Sequence, residues 1–472
     1  MRSVALKSKV VVSVTTLGAF LMLTSAIGSV APPKTGGGAA GGHQPGLTEF
    51  DVPGAAEIPS VGGTTPFANN DFGVIVGTWT DANVVPHGFI RNPDGTILSF
   101  DAPGAGLGAG LNQGTVAYNI NDFGVIAGQF QDTNYVLHAF IRYPTGSFTV
   151  FDAPGAGTSA GQGTLAVDIN PEGDTAGFYI DSTGFGHGFI RYANGNFATF
   201  EAPDASSSGF GTVPCLETCL SPTGAVTGYY FDANLGLHGF VRGPKGTITE
   251  FDAPGAATGV TLGGTIAASI TPLGVITGYS TDSNYLSLSF IRTPNGRFIT
   301  FQDPDASTDP DYGTSALAIN PFGAVTGVYN DDVGVLHGFE RTPQGAFANF
   351  TAPDGGAGAF QGTRPSTINA LGEVVGWDID SNNVDHGFLW TPGRLSFAAA
   401  MPQSATPTRA GSPPVQFAQL SRFALPQPVR RSLQHRMAEL RAVPRLPLPE
   451  KLRKQLLQRA LRNRTGPQTK QP

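Results

Sequence analysis

Residues 114–154 read GTVAYNINDFGVIAGQFQDTNYVLHAFIRYPTGSFTVFDAP. Four pieces rich in apolar, β-branched and aromatic residues are separated by clusters of Gly, Asp, Asn and Pro. That is the pattern of four strands joined by tight turns. The same order recurs along the chain. The first piece starts at Gly114 and is repeated from Gly163, Gly264 and Gly313, less cleanly from Gly211 and Gly362. The second is a Gly-x-x-x-Gly strand, Gly124/Gly128 here and Gly73/Gly77 through Gly372/Gly376 elsewhere. The third opens on a His-Gly-Phe-like triplet and the fourth ends in Phe-Asp-Ala-Pro, as at 100–103 and 251–254. Turns such as Asn92-Pro93-Asp94-Gly95 lie between the third and fourth. Proline presets φ at the first turn position and Gly takes the positive φ that follows.

The triplet occurs at His87, His138, His187, His238, His337 and His386, with Leu288-Ser289-Phe290 as a seventh copy lacking the His. The copies are 49–51 residues apart. Inside each unit the first Gly of the second strand stands 14 residues before the His position, whereas length drifts between units. Rigid four-stranded blocks with elastic connections bury their faces by radial stacking, so the expected fold is all-β: a β-propeller of seven four-stranded blades over residues 47–397. An open solenoid is the alternative. Leu47–Phe50, a stray copy of the fourth strand, is the candidate to close the ring, with residues 395–397 as its competitor. Alternation along each blade places the second-to-third turns and the inter-unit connections on one face, which should then be strongly negative.

The His-[Gly/Ala]-Phe triplet after a Gly-x-Val-x-Gly strand resembles the extracellular HAF-repeat family, and His138-Ala139-Phe140 matches that name literally. The resemblance implies an exported repeat protein of propeller type and no particular reaction. Leu288 departs from the pattern.

The flanks differ from the body. Residues 1–31 read as a secretory signal peptide: Arg2, Lys7 and Lys9, then an apolar run from Val10 to Leu23, then small residues. A Gly/Pro-rich linker spans 32–46 and a Pro/Ala-rich one 398–427. Residues 428–472 form a basic tail with two amphipathic helical patterns, Val429, Leu433, Met437 and Leu440, then Leu448, Leu452, Leu456 and Ala460. Residues 47–397 carry 10 Lys and Arg against 33 Asp and Glu, whereas 398–472 carry 14 against 2. Such a tail suits an envelope anchor in contact with a membrane surface, or a latch onto the acidic body. So negative a body argues against nucleic acid. The expected location is secreted, periplasmic or at the cell envelope, and the expected state monomeric.

Regular histidines invite a metal or catalytic reading. An Asp precedes each triplet position by six residues: Asp81, Asp132, Asp181, Asp232, Asp282, Asp331 and Asp380. No Ser or Cys recurs with them as a nucleophile, and radial symmetry separates the histidines by a blade each. The expected role is structural, with Asp making the turn and His bonding to it or its neighbour. The Phe of each triplet reads as inter-blade packing. Asp303, Asp305, Asp309 and Asp311, and the run 378–382, are the candidates for Ca2+, though neither completes an EF-type loop. Cys215 and Cys219, four apart, form a local disulfide or a free thiol pair. Residues that break the repeat, namely Trp79, Trp377, Trp390, Arg364, Arg297 and Leu288, include no carboxylate pair of the kind a glycosidase needs. The sequence therefore points to a non-catalytic binding or scaffold protein with an unidentified protein or glycan partner and no cofactor. The alternative is an extracellular glycan lyase or hydrolase with its site in the central channel.

Overall fold

A computed structural model describes residues 46–109, 113–206, 211–214 and 218–393. Every regular element among them is a strand, and they fall into seven groups of four. The stretch 1–31 read as a signal peptide, both linkers up to Gly46 and beyond Gly393, residues 395–397 and the basic tail lie outside the described residues. Strands of each blade are labelled a to d in the order they pair, a innermost. In the second blade these are Gly114–Ile120, Ile126–Gln131, Leu137–Arg142 and Phe148–Phe151, each antiparallel to the next.

Burial follows from position. Strand a is buried at every residue in that blade, whereas strand d is half-exposed. Strand b carries Gly128 because the Phe140 ring of strand c lies across it. A Cβ there would meet Val116 O at 2.3 Å and the ring at 2.5 Å. Each strand a begins on a glycine or directly after one, for a different reason: Gly163 has φ +124°, and a Cβ would strike Leu137 O of the preceding blade. That close approach forms a parallel bridge between neighbouring blades, Gly163 to Leu137. The following Thr is equally constrained. Thr115 Oγ1 accepts the Ala102 N–H at 2.9 Å, and Thr64, Thr164, Thr212, Thr265, Thr314 and Thr363 do the same for the end of the preceding strand d.

Leu47–Phe50 is strand d of the seventh blade. It pairs antiparallel with Asp385–Trp390, Leu47 opposite Trp390 and Phe50 opposite Gly387, so the chain's first strand completes its last blade and the ring closes. Around the channel mouth side-chain amides run from blade to blade, Asn70 to Asn121 O and Asn121 to Asn170 O. Asn320 reaches Asn369 O, and Asn369 bridges the closure to Asn70 O at 3.3 Å.

The seams between blades repeat one arrangement. The last Phe of strand d lies edge-on to the triplet Phe of the next blade, as Phe100 to Phe140 and Phe151 to Phe189, at 6.0–6.4 Å in all seven seams. The Arg ending strand c covers the same ring: Arg142 stands 4.7 Å from the Phe100 centroid and Arg292 4.5 Å from Phe251. Each ring pair contributes roughly 0.5–1.5 kcal/mol beyond its buried area. In the last seam Trp390 replaces the Arg and stacks on Phe350 at 4.7 Å. Trp390 breaks the repeat in sequence only, and it packs as the arginines do.

Candidate functional site

Strand c starts at the edge of the blade, so its His lies where the bc turn and the end of strand d meet. The turn Asp uses one oxygen to hold the turn. Asp132 Oδ1 accepts the N–H groups of Asn134 and Val136, both at 2.8 Å, and Asp81, Asp181, Asp232, Asp282, Asp331 and Asp380 repeat this. The imidazole bonds chiefly elsewhere. His87 Nδ1 lies 2.9 Å from Asp101, His138 3.0 Å from Asp152, and His238 3.1 Å from Asp252. His187 pairs with Glu201, and His386 reaches Asp51 at 2.8 Å across the ring closure. The other nitrogen faces the turn Asp at 3.2–4.0 Å. In most blades the shorter contact is with the acid of Phe-Asp-Ala-Pro or its equivalent, with the turn Asp second.

That acid was visible in the sequence, 14 residues after the His. Where Leu288 replaces His, Gln302 replaces the acid, so both members change together. In the sixth blade Thr351 Oγ1 takes its place, 3.0 Å from His337. Beneath the imidazoles lie rings from strand b: Trp79, Phe130, Tyr179, Tyr230 and Tyr329, stacked with centroids 4.7–5.1 Å apart. Trp79 thus occupies an ordinary repeat position. Hydrogen bonding to Asp101, Asp152 and Asp252 holds His87, His138 and His238 above the usual histidine range. Burial pulls His386 down, but Asp51 outweighs it and the net shift is upward. Asp181 drops to about 2: burial works against this, and the bonds from Thr183 and Phe185 prevail. In most blades both imidazole nitrogens face carboxylates and a ring covers one face, an arrangement that suits a brace.

The seventh blade carries Asp378 where five of the others place the ring and the fifth blade has Ser280. It is buried, and neither carboxyl oxygen accepts a hydrogen bond from another residue. Burial, reinforced by Glu49, pushes its carboxyl up to about 7. Glu340 stands where other strands c have Ile, Val or Leu, and burial lifts it to about 7 as well. Glu340 did not figure in the sequence reading, and Asp378 figured only in the Ca2+ candidate 378–382. Each becomes visible only when the copies are aligned position by position.

Among the described residues no group of three or more His, Cys, Asp or Glu is placed to hold a metal ion. Within the first Ca2+ candidate, Asp303 and Asp305 both receive Asn349 Nδ2, at 3.1 and 3.0 Å, while Asp309 is exposed. In the second, Asp378 lies inside the blade and Asp380 caps its turn. Cys219 is disulfide-bonded; Cys215, the chain's other cysteine, lies outside the described residues. Trp377 packs edge-on against Phe67 and lies under Arg364. Arg297 sits in a cd turn, bonding through its backbone to Thr293. One end of the channel is narrowed by Ile120, Ile169, Ile270, Ile319 and Ile368 around a cavity of about 40 Å3. Asp168, at that cavity, receives Asn119 Nδ2 and the Leu220 N–H.

The two faces of the disc differ in charge. The bc turns and da connections hold twenty Asp and Glu and no Lys or Arg. Opposite them, the ends of strand c and the cd turns hold eight of the nine Lys and Arg among the described residues. One face is a field of carboxylates, many of them partly exposed at the His braces: Asp152 and Asp51 keep 47% and 46% side-chain exposure.

No protein-family model and no curated protein matches the chain. Among solved structures it is similar to the BP39L lectin from Burkholderia pseudomallei, with 12% identity and TM-score 0.46, covering 69% of this chain and 96% of that one. It is also similar to a variant of the Aleuria aurantia lectin in complex with alpha-methyl-L-fucoside (12%, TM-score 0.35, 61% and 94% covered). A puromycin hydrolase matches at 13% identity and TM-score 0.41 over 69% of this chain and half of its own. Likeness at this level speaks at most to architecture.

Proposed function

We propose that the chain is an exported, non-catalytic binding protein whose acidic face takes a cationic or polyhydroxyl partner, protein or glycan. The carrying observation is the segregation of charge: twenty carboxylates without one Lys or Arg on that face. Stability alone does not demand this, because like charges crowded on one surface repel. Carboxylates at this density accept hydrogen bonds from hydroxyls and attract ammonium or guanidinium groups. The His-Gly-Phe triplets support a place beside the HAF-repeat proteins, and the N-terminal pattern supports export. A catalytic reading would need a pair of carboxylates in the channel. Asp168, the acid described at the cavity there, is instead tied to Asn119 and Leu220.

The test neutralises three exposed acids that hold no turn, Glu57→Gln, Asp309→Asn and Asp332→Asn, in the full chain. Binding to polylysine and to a panel of immobilised glycans is then compared with the parent. The expected result is salt-sensitive binding by the parent, weakened at least fivefold in the triple variant. Equal binding by both, or binding indifferent to salt, would exclude the acidic face. Deleting residues 398–472 separately tests the tail as an envelope anchor, the expected outcome being release of the propeller to the soluble fraction.

A further inference from the structure

The slot beneath each imidazole has two further neighbours: the penultimate residue of strand d and the residue after the proline of the preceding connection. A Cβ on Gly54 would lie 3.7 Å from Trp79, and one on Gly155 3.5 Å from Tyr179. In the fourth blade the two neighbours are Glu250 and Asp204, and the occupant, Tyr230, brings a donor. Its hydroxyl bonds Glu250, which also accepts the Asp204 N–H at 3.0 Å. In the first blade Trp79 Nε1 donates to Ser99 at 2.8 Å. In the sixth, Asn349 donates to Asp305 at 3.0 Å and reaches the Tyr329 hydroxyl at 3.4 Å. In both blades where a carboxylate borders a ring-filled slot, the chain itself supplies the donor.

The seventh blade reverses this. Its strands b, c and d are Val374–Ile379, Asp385–Trp390 and Leu47–Phe50. Glu49 and Asp354 border the slot as Glu250 and Asp204 do, with the Asp354 N–H donated to Glu49 at 3.1 Å. The occupant, however, is a third acid. Asp378 is fully buried and neither of its oxygens has a hydrogen-bond partner, while the charges of Glu49 and Asp354 both bear on it. The two basic side chains of this blade are directed elsewhere. His386, opposite Asp378 on strand c, is engaged by Asp51 at 2.8 Å and faces Asp380. Arg364 lies over Trp377, which points to the other side of the sheet because neighbours along a strand alternate.

A buried carboxylate without a donor is a fault that folding alone would remove, and such faults are kept where a site needs them. Exposure is graded from Asp354, which is exposed, through Glu49, half-buried, to Asp378 at the floor. The three acids are not gathered as metal ligands. Three carboxylates are matched by three N–H donors, the number that a primary ammonium carries on a thin alkyl stem. A guanidinium spreads five donors across a rigid plane and suits a two-oxygen fork instead.

We propose that Glu49, Asp354 and Asp378 form a recognition site for a primary alkylammonium group, such as a lysyl side chain, entering from the acidic face into the slot that a ring fills in other blades. The site rests on the reading of that face as a surface for cationic partners and gives it one anchoring point.

Thermal unfolding of the full chain at pH 8 and fixed ionic strength tests this, with Nα-acetyl-lysine amide as the probe. The parent's melting temperature should rise with probe concentration, as binding to the native state requires. The dissociation constant drawn from that rise should be at least tenfold higher in Asp378→Tyr, which refills the slot, and in Asp378→Asn, which removes the charge. The same probe acetylated at Nε should leave the parent unmoved. Equal shifts in parent and variants, or an equal shift from the Nε-acetylated probe, would overturn the site. So would calcium chloride shifting the parent where the lysine probe does not, because the acids would then serve a metal ion. The two readings fail separately: a parent that binds polylysine salt-sensitively but gives no shift with the probe loses this site and keeps its acidic face.

Discussion

The seam between the second and third blades and the seam between the sixth and seventh are built on one plan with different materials. In the former, Ile141, Ala139, Tyr179 and Phe189 share a single apolar cluster. In the latter, the positions of Ile141 and Tyr179 hold Glu340 and Asp378, both buried and both titrating near neutrality. The seventh blade, on one side of that seam, also lacks the covalent continuity of the others, since its outer strand Leu47–Phe50 does not follow Asp385–Trp390 in the chain. The repeat thus tolerates a costly exception where the ring closes, and what holds that blade is Leu47–Phe50, with Trp390 stacked on Phe350.

Removing the closing strand breaks the comparison most severely. Deleting residues 47–50 exposes the edge of Asp385–Trp390 and separates His386 from Asp51. The expected loss exceeds about 5 kcal/mol, the scale of the most disruptive changes, and denaturant melts should show either no cooperative transition or a midpoint far below the parent's. Deletion of residues 395–397, tested the same way, should leave the midpoint unchanged.

Making the odd seam regular sharpens the comparison in the other direction. Glu340→Ile and Asp378→Tyr restore the residues used elsewhere and remove two buried carboxyls. Each should stabilise the protein at pH 8 by on the order of 2–3 kcal/mol, since a buried group without a partner costs about that much. Chemical denaturation at pH 8 reads the gain directly.

The His braces come next. His238→Ala strands Asp252 beside Tyr230 and should cost about 1–3 kcal/mol, read as a fall in melting temperature. Replacing both members, His238→Leu with Asp252→Gln, reproduces the pair found in the fifth blade. That double variant should lose less than the two single variants summed, because neither partner is left alone.

Much of this architecture was legible in the sequence because it is periodic. Strand spacing, turn glycines and the triplet Phe each occur seven times, and periodicity alone converts them into blades. Leu47–Phe50 could be read as a closing strand because it repeats strand d without a unit before it. What escaped was contact between positions that are equivalent in no single copy. The His87–Asp101 bond joins residues 14 apart and the His386–Asp51 bond joins residues 335 apart. They are one interaction, divided by the point where the ring is cut. Trp79 and Trp390 looked like exceptions since residue type was compared rather than volume and stacking. Glu340 was passed over as one more acid in an acidic chain, and Asp378 was read only as part of a Ca2+ candidate. Only burial distinguishes them, and burial is set by the neighbouring blade.

The pH dependence of stability follows from these groups with a definite sign. A carboxyl raised from 3.8 or 4.5 to about 7 keeps its proton in the native state after the unfolded chain has lost it. Stability then falls as pH climbs from about 4 to about 7. Histidines raised above 6.5 bind more protons when folded, so their contribution is complete below 6.5 and is lost as pH rises through the folded value. Asp181, lowered to about 2, adds stability above 3.8 that disappears as pH falls toward 2. Together they place the optimum on the acid side of neutrality.

Thermal unfolding of the full chain between pH 5 and pH 8, beside the Glu340→Ile/Asp378→Tyr variant, measures the difference between the two seams most directly. The parent should melt lower with each step toward pH 8, whereas the variant should keep only the shallower slope owed to its histidines. Parallel curves would show that the two carboxyls are not buried at a weak seam between the sixth and seventh blades, and the contrast between the two seams would fall.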